Sequence, residues 1–260
     1  MGPRVLEITR FLRRFVLKKP CSQPSYLDRS AVVFVNGPSA FRDPLPRVWL
    51  DLWNGAPLRF CLDGAANRLH VLCRDGSAKH PTTISGDFDS LFTESRAFFE
   101  ASGVSIVETR DQNETDMTKA LRILASEEFL KAGEIDFVVF LGGFSGRFDH
   151  TMASIKSMLV GLKLLSVPIV AFDESNLVTI LPEGQNDIRL ERSLLTGICG
   201  FIPFCQRRVD VTTRGFKWNL KDEELSFDGI ISTSNELVAD RVEIHADAPI
   251  LFTVELKGTL

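Results

Sequence analysis

Six short, largely apolar runs set the first limit on this chain: Ala31–Val35, Phe60–Leu62, Thr82–Ile84, Val104–Val107, Phe137–Leu141 and Ile169–Phe172. A strand with one wet face alternates with period two, so runs without alternation read as strands covered on both sides. Helical spacing appears between them. Thr115–Lys131 puts Met117, Ala120, Leu121 and Leu124 on one face, and His150–Leu165 does so with Met152, Ile155, Met158, Leu159 and Leu162. Strand–helix repetition predicts a parallel sheet with helices on both faces and a ligand site beyond the carboxyl ends of its strands. After Ser175 the texture changes. Leu177–Leu181, Asp187–Leu190, Gly197–Phe201, Arg208–Thr212, Ser226–Ser232, Val242–Ala246 and Ile250–Leu256 are short and β-rich, with Gly, Pro, Asn and Asp between them. This predicts an all-β sandwich. The expected plan is a basic N-terminal extension over 1–30, a Rossmann-like parallel α/β domain over 31–176, and a β-sandwich domain over 177–260.

Charge narrows the partners. Over 260 residues, 30 Lys and Arg stand against 34 Asp and Glu. Neutralising a phosphate backbone needs a basic surface, so nucleic acid is not expected. The N-terminal stretch Met1–Pro20 holds Arg4, Arg10, Arg13, Arg14, Lys18 and Lys19 against Glu7, so the rest of the chain is more acidic than the net charge of −4 suggests. That stretch reads as a solvated extension, with mitochondrial targeting as the other reading. No run approaches the length of a membrane helix, and no membrane partner is expected. Cys21, Cys61, Cys73, Cys199 and Cys205 form no C-x-x-C pair, which leaves a structural zinc site no starting point; their odd number, with Cys61 inside an apolar run, predicts reduced, buried thiols in a cytoplasmic protein.

Four segments carry polar residues at predicted strand ends. In Asp63-Gly64-Ala65-Ala66-Asn67-Arg68 a strand runs into an acid and then small residues, a pattern that a turn alone also explains. In Gly86-Asp87-Phe88-Asp89-Ser90 an extended chain would point both carboxylates the same way, and a divalent cation such as Mg²⁺ would relieve their repulsion. The competing reading makes one of them the cap of a helix starting near Ser90. In Asp111-Gln112-Asn113-Glu114-Thr115-Asp116, Thr115 suits an N-cap and Asp116 the first turn, where the helix dipole favours an anion. In Gly142-Gly143-Phe144-Ser145-Gly146-Arg147-Phe148-Asp149-His150 a glycine loop and an arginine precede a long helix, an arrangement suited to phosphate oxygens. His150 reads as a packing or hydrogen-bonding residue rather than a base.

Together the four segments resemble the thiamine pyrophosphokinase (thiamine diphosphokinase) family, eukaryotic type. Its motifs look like D-G-G-A-N-R, G-D-x-D-S, D-Q-x-x-T-D and G-x-x-G-G-R-x-D-H, and they occur here in that order. Gly215–Leu220 and Ser232–Glu236 resemble its G-x-x-W-x-L and S-x-S-N-E segments, so the likeness runs from about residue 31 to 256. Ala65 stands where the family usually has Gly, and Phe144-Ser145 where smaller residues are common. The resemblance implies a Rossmann-like domain followed by a β-sandwich, acting as a homodimer with active sites between subunits. It implies transfer of pyrophosphate from ATP to the hydroxyethyl group of thiamine, giving thiamine diphosphate and AMP. The catalytic carboxylates would be Asp63, Asp87, Asp89 and Asp116, with Asp87, Asp89 and Asp116 holding Mg²⁺. Gln112, Thr115, Gly143, Gly146, Arg147 and Asp149 would bind the nucleotide. Trp218 would stack on the thiazolium, with Ser232, Ser234 and Asn235 supplying hydrogen bonds. The alternative keeps the acidic site but not thiamine: a Mg²⁺-dependent nucleotide phosphotransferase or hydrolase.

Overall fold

A computed structural model describes residues 4–6, 29–126, 135–204 and 207–258. They divide into two compact units, one over 29–174 and the other over 175–258 together with 4–6. Strands are numbered along the chain. The first, β1 (Arg4–Leu6), belongs to the second unit.

The first unit is built on β2 (Ser30–Phe34), β3 (Leu58–Leu62), β4 (Thr83–Gly86), β5 (Ser105–Glu108), β6 (Phe137–Leu141) and β7 (Ile169–Asp173). They lie in the order β7-β6-β2-β3-β4-β5 and every pairing is parallel. All of β2 and β7 is buried, as runs apolar at successive positions require. Helices follow the strands at Ala65–Arg74, Thr93–Ala101, Asp116–Leu124 and Phe148–Leu164. Sequence reading missed a further helix, Arg47–Gly55, which buries Val48, Trp49, Leu52 and Trp53. Both indoles meet Phe34 edge-on with ring centroids 5.8 Å away, and burying each large ring contributes roughly 2–3 kcal/mol.

Two helix expectations change at their ends. The first helix opens at Asp116 with Thr115 as its cap: the Thr115 hydroxyl accepts from the Thr118 N–H at 3.2 Å. It closes at Leu124, short of the expected Lys131, and 127–134 lie outside the described residues. The second spans Phe148–Leu164 rather than His150–Leu165.

The second unit comprises β1 with β8 (Asn176–Leu181), β9 (Gly184–Arg189), β10 (Leu195–Ile202), β11 (Val209–Arg214), β12 (Glu223–Leu225), β13 (Ser232–Glu236), β14 (Arg241–Ala246) and β15 (Ile250–Leu256). One sheet runs β1-β9-β14-β11-β12, and β13-β10-β15-β8 form an antiparallel set. Val209, Val211 and Thr213 of β11 and Val242, Ile244 and Ala246 of β14 are buried while their neighbours are not, the period-two signature of a sandwich. Phe201, Phe216 and Phe252 cluster with centroids 5.1–6.4 Å apart. The expected strand Ser226–Ser232 is instead a reversal between β12 and β13, closed by Ser226 N–H to the Ile230 carbonyl at 3.0 Å. Asp228-Gly229 at its tip suits a turn.

The N-terminal extension is not wholly solvated. Arg4–Leu6 pair in parallel with Asn186–Ile188 of β9, and Leu6 is buried. An edge strand offers unpaired backbone groups, and β1 takes them up. The rest of the basic stretch, Cys21 and Cys205 lie outside the described residues. Cys61, Cys73 and Cys199 are free thiols. Burial pushes Cys73 and Cys199 up to about 12, and Cys61 well upward too, so none is poised as a nucleophile.

Candidate active site

The motif residues of the first unit meet beyond the carboxyl ends of its sheet. One carboxylate oxygen from each of Asp63, Asp87 and Asp116 lies within 4.8 Å of the other two. Asp63 follows β3, Asp87 follows β4, and Asp116 opens the helix after β5. The approach of the first two depends on Gly86, where a Cβ would stand 2.8 Å from the Asp63 Cβ and 3.2 Å from its Cα. Asp63 is buried. Its Oδ2 accepts from the Ser90 hydroxyl, and its Oδ1 is buried with no hydrogen-bond partner. An unsatisfied buried carboxylate oxygen, converging with two others, suits a hard divalent cation such as Mg²⁺. The donor set therefore fits that ion.

The three acids are not equivalent. Gln112 donates to Asp87 Oδ2 at 2.8 Å and holds that carboxyl below its usual range. Burial raises Asp116, opposed by the Lys119 ammonium 3.1 Å from its Oδ1. Lys119 is itself buried and also donates to the Thr109 carbonyl at 3.0 Å. Nothing in its sequence position, one turn along the Asp116–Leu124 helix, distinguished it from a surface lysine.

Asp89 does not join the cluster. The expectation that Asp87 and Asp89 point the same way required an extended chain, but Phe88 has φ 63°, a left-handed residue that breaks the alternation. Asp63, expected among the catalytic carboxylates, is the third acid of the converging trio. Asp89 stays beside the trio: the charges of Asp87 and Asp63, and a side-chain contact with Asp63, raise its carboxyl. The capping alternative also fails: the next helix opens at Thr93, after Phe92, without a side-chain cap. Asn67 ties this loop down, donating to the Ser90 carbonyl at 2.8 Å and accepting from Phe92 N–H at 2.9 Å.

A cavity of about 490 Å³ opens here. Asp87, Gln112, Thr115, Asp116, Gly143 and Arg147 line it, together with Lys119 and Ser145, to which the sequence had suggested no role. Gly146 and Asp149 flank that wall, and Asp149 pairs with Arg147 at 2.5 Å. The Thr115 hydroxyl, besides capping, lies 2.7 Å from Ser157 Oγ on the Phe148–Leu164 helix. His150 is exposed on the cavity wall rather than packed, because the first turn of its helix projects into solvent.

Comparison with known proteins agrees with this arrangement. The family description "Thiamin pyrophosphokinase, catalytic domain" matches residues 49–169, and "Thiamin pyrophosphokinase, vitamin B1 binding domain" matches 185–251. The chain belongs to the thiamin pyrophosphokinase family. Thiamin pyrophosphokinase 1 of Caenorhabditis elegans is 32% identical over 208 residues, covering 80% of this chain and 83% of that one. Thiamine pyrophosphokinase 1 of rice is 30% identical, covering 98% of this chain and 99% of its own. The solved thiamin pyrophosphokinase of Candida albicans superposes with a TM-score of 0.79 at 17% identity, over 99% of this chain and 95% of that one, a likeness of fold.

In this thiamin pyrophosphokinase family member the other predicted site residues belong to the second unit. Trp218 is exposed on the loop after β11, and Lys217 Nζ sits 4.7 Å from its ring centroid. Asn235 is buried and has structural partners: its amide donates to the Trp218 carbonyl at 2.8 Å and accepts from Trp218 and Glu236 N–H at 3.3 and 2.8 Å. It holds the backbone that presents the indole. Ser232 and Ser234 lie on β13, Ser234 with φ 56°.

Proposed function

We propose that this chain is a thiamine diphosphokinase. The observation that carries the reading is that Asp87 and Asp116 line the same cavity as Gly143 and Arg147. One wall suits a hard cation and the other suits phosphate oxygens. ATP would enter with its triphosphate along this cavity. The hydroxyethyl oxygen of thiamine attacks the β-phosphorus, the bond from that phosphorus to the α–β bridging oxygen breaks, and AMP leaves. The proton of the attacking hydroxyl passes to water, and the bridging oxygen leaves with AMP. Mg²⁺, held by Asp63, Asp87 and Asp116, would neutralise triphosphate charge and orient it for in-line displacement. Gln112 fixes the Asp87 carboxylate, Lys119 fixes Asp116, and Arg147 exchanges Asp149 for phosphate as ligand arrives. Trp218 offers its exposed face to the thiazolium cation.

A homodimer is part of the same proposal, supported by the family motifs, and so is a cytoplasmic location, supported by the free thiols. The test is formation of AMP and thiamine diphosphate from ATP. It should require both thiamine and Mg²⁺ and stop with chelator, whereas AMP release without thiamine would overturn the assignment. Trp218→Ala should raise the KM for thiamine and leave that for ATP unchanged.

A further inference from the structure

One buried acid has no part in the chemistry above. Asp173 ends β7, is 2% exposed, and uses both oxygens on loops that border the cavity. Oδ2 accepts from the Phe144 N–H at 2.6 Å, and Oδ1 accepts from the Ser39 hydroxyl at 2.5 Å. Ser39, itself buried, also contacts the Ser145 hydroxyl. The direction of these bonds follows from counting protons. A carboxylate only accepts, so the single hydroxyl hydrogen of Ser39 points to Asp173. The hydrogen between the two serines must then come from Ser145. Ser145 lines the cavity with its hydrogen turned away, and only lone pairs remain to meet a ligand.

We propose that Ser145 is a hydrogen-bond acceptor for an O–H or N–H group of the bound nucleoside, with Asp173 and Ser39 as the positioning residues that set its polarity. The inference rests on reading the cavity as a nucleotide site. Ionised phosphate oxygens are acceptors and make no bond to lone pairs, although a serine in a glycine loop beside Arg147 would by position alone be given to phosphate. In ATP the donors are the ribose hydroxyls and the adenine amino group. The hydroxyl therefore favours a nucleoside over bare polyphosphate.

The test is calorimetric titration with ATP and with inorganic tripolyphosphate, both with Mg²⁺ and without thiamine. Wild type should bind both; if it binds neither, the nucleotide reading of the cavity fails. Ser145→Ala should weaken ATP by about 2- to 10-fold, the worth of one neutral hydrogen bond, and leave tripolyphosphate unchanged. An equal loss for both ligands would mean a phosphate contact and would overturn the proposal, as would no loss for either. Among 2′-deoxy-ATP, 3′-deoxy-ATP and ITP, the analogue lacking the recognised donor should bind wild type as weakly as Ser145→Ala binds ATP. Asp173→Asn turns an acceptor into a donor at Ser39, which frees the Ser145 hydrogen toward the cavity. It should weaken ATP alone, with no further loss when added to Ser145→Ala. Additive losses extending to tripolyphosphate would show that Asp173 only supports the loop.

Discussion

The cavity is bordered by two buried carboxylates, Asp63 and Asp173, that are used in opposite ways. On the wall formed after β3, β4 and β5, Asp63, Asp87 and Asp116 crowd together with one oxygen of Asp63 left without a partner. On the wall formed after β2, β6 and β7, Asp173 is as deeply buried, but both of its oxygens are engaged by protein donors. The first set is incomplete as protein alone and gains from a cation. The second is complete, and through Ser39 it fixes the direction of the Ser145 hydroxyl. Burial of an acid therefore does not identify a metal ligand; the unfilled oxygen does.

The comparison breaks most readily at Asp87. Asp87→Ala should lower turnover by about 1000-fold, the scale of losing a principal electrostatic contact, while calorimetry shows Mg²⁺ affinity lost with it. Normal turnover would mean that the acidic wall is not the metal site.

Lys119→Met tests the same wall less severely and should reduce Mg²⁺ affinity by about 10- to 100-fold, as loss of a ligand's supporting partner does. Its pH signature is directional. Burial raises the Asp116 carboxyl and Lys119 opposes the rise, so the variant carboxyl should titrate higher still. Metal binding needs the carboxylate and is lost as pH falls through that value. The acid limb of Mg²⁺ binding should therefore move to higher pH, and Lys119→Arg should restore it in part; an unmoved limb would remove Lys119 from the site.

A smaller effect than either of these is expected on the opposite wall. Arg147 is exposed and paired with Asp149, so Arg147→Ala should raise the KM for ATP about 10-fold, the worth of a hydrogen bond to a charged group. The dependence on Mg²⁺ concentration should not change. A shifted Mg²⁺ dependence would show that the two walls are not separable.

Much of this was legible in sequence for identifiable reasons. Ala31–Val35 and Phe137–Leu141 read as strands because a doubly covered strand has no polar face to confuse with a helix. Thr115 read as a cap because its hydroxyl precedes an amphipathic run. The Arg47–Gly55 helix went unread, although Val48, Trp49, Leu52 and Trp53 keep helical spacing, because it is short and stands among prolines. That Asp89 stands outside the converging trio was not readable: it turns on one left-handed residue, Phe88, whose type gives no warning. Lys119 and Asp173 share a different obstacle. A charged residue is expected at the surface, and only the fold shows these two buried.

Gly86 has one more consequence. It bears no functional group, yet any side chain there would displace Asp63. In a saturation-mutagenesis screen, position 86 should score as intolerant as the acids, whereas Asp89, a motif carboxylate, should tolerate exchange better. Ranking positions by intolerance would then place an unreactive glycine above a carboxylate and mistake the room around a ligand for the ligand itself.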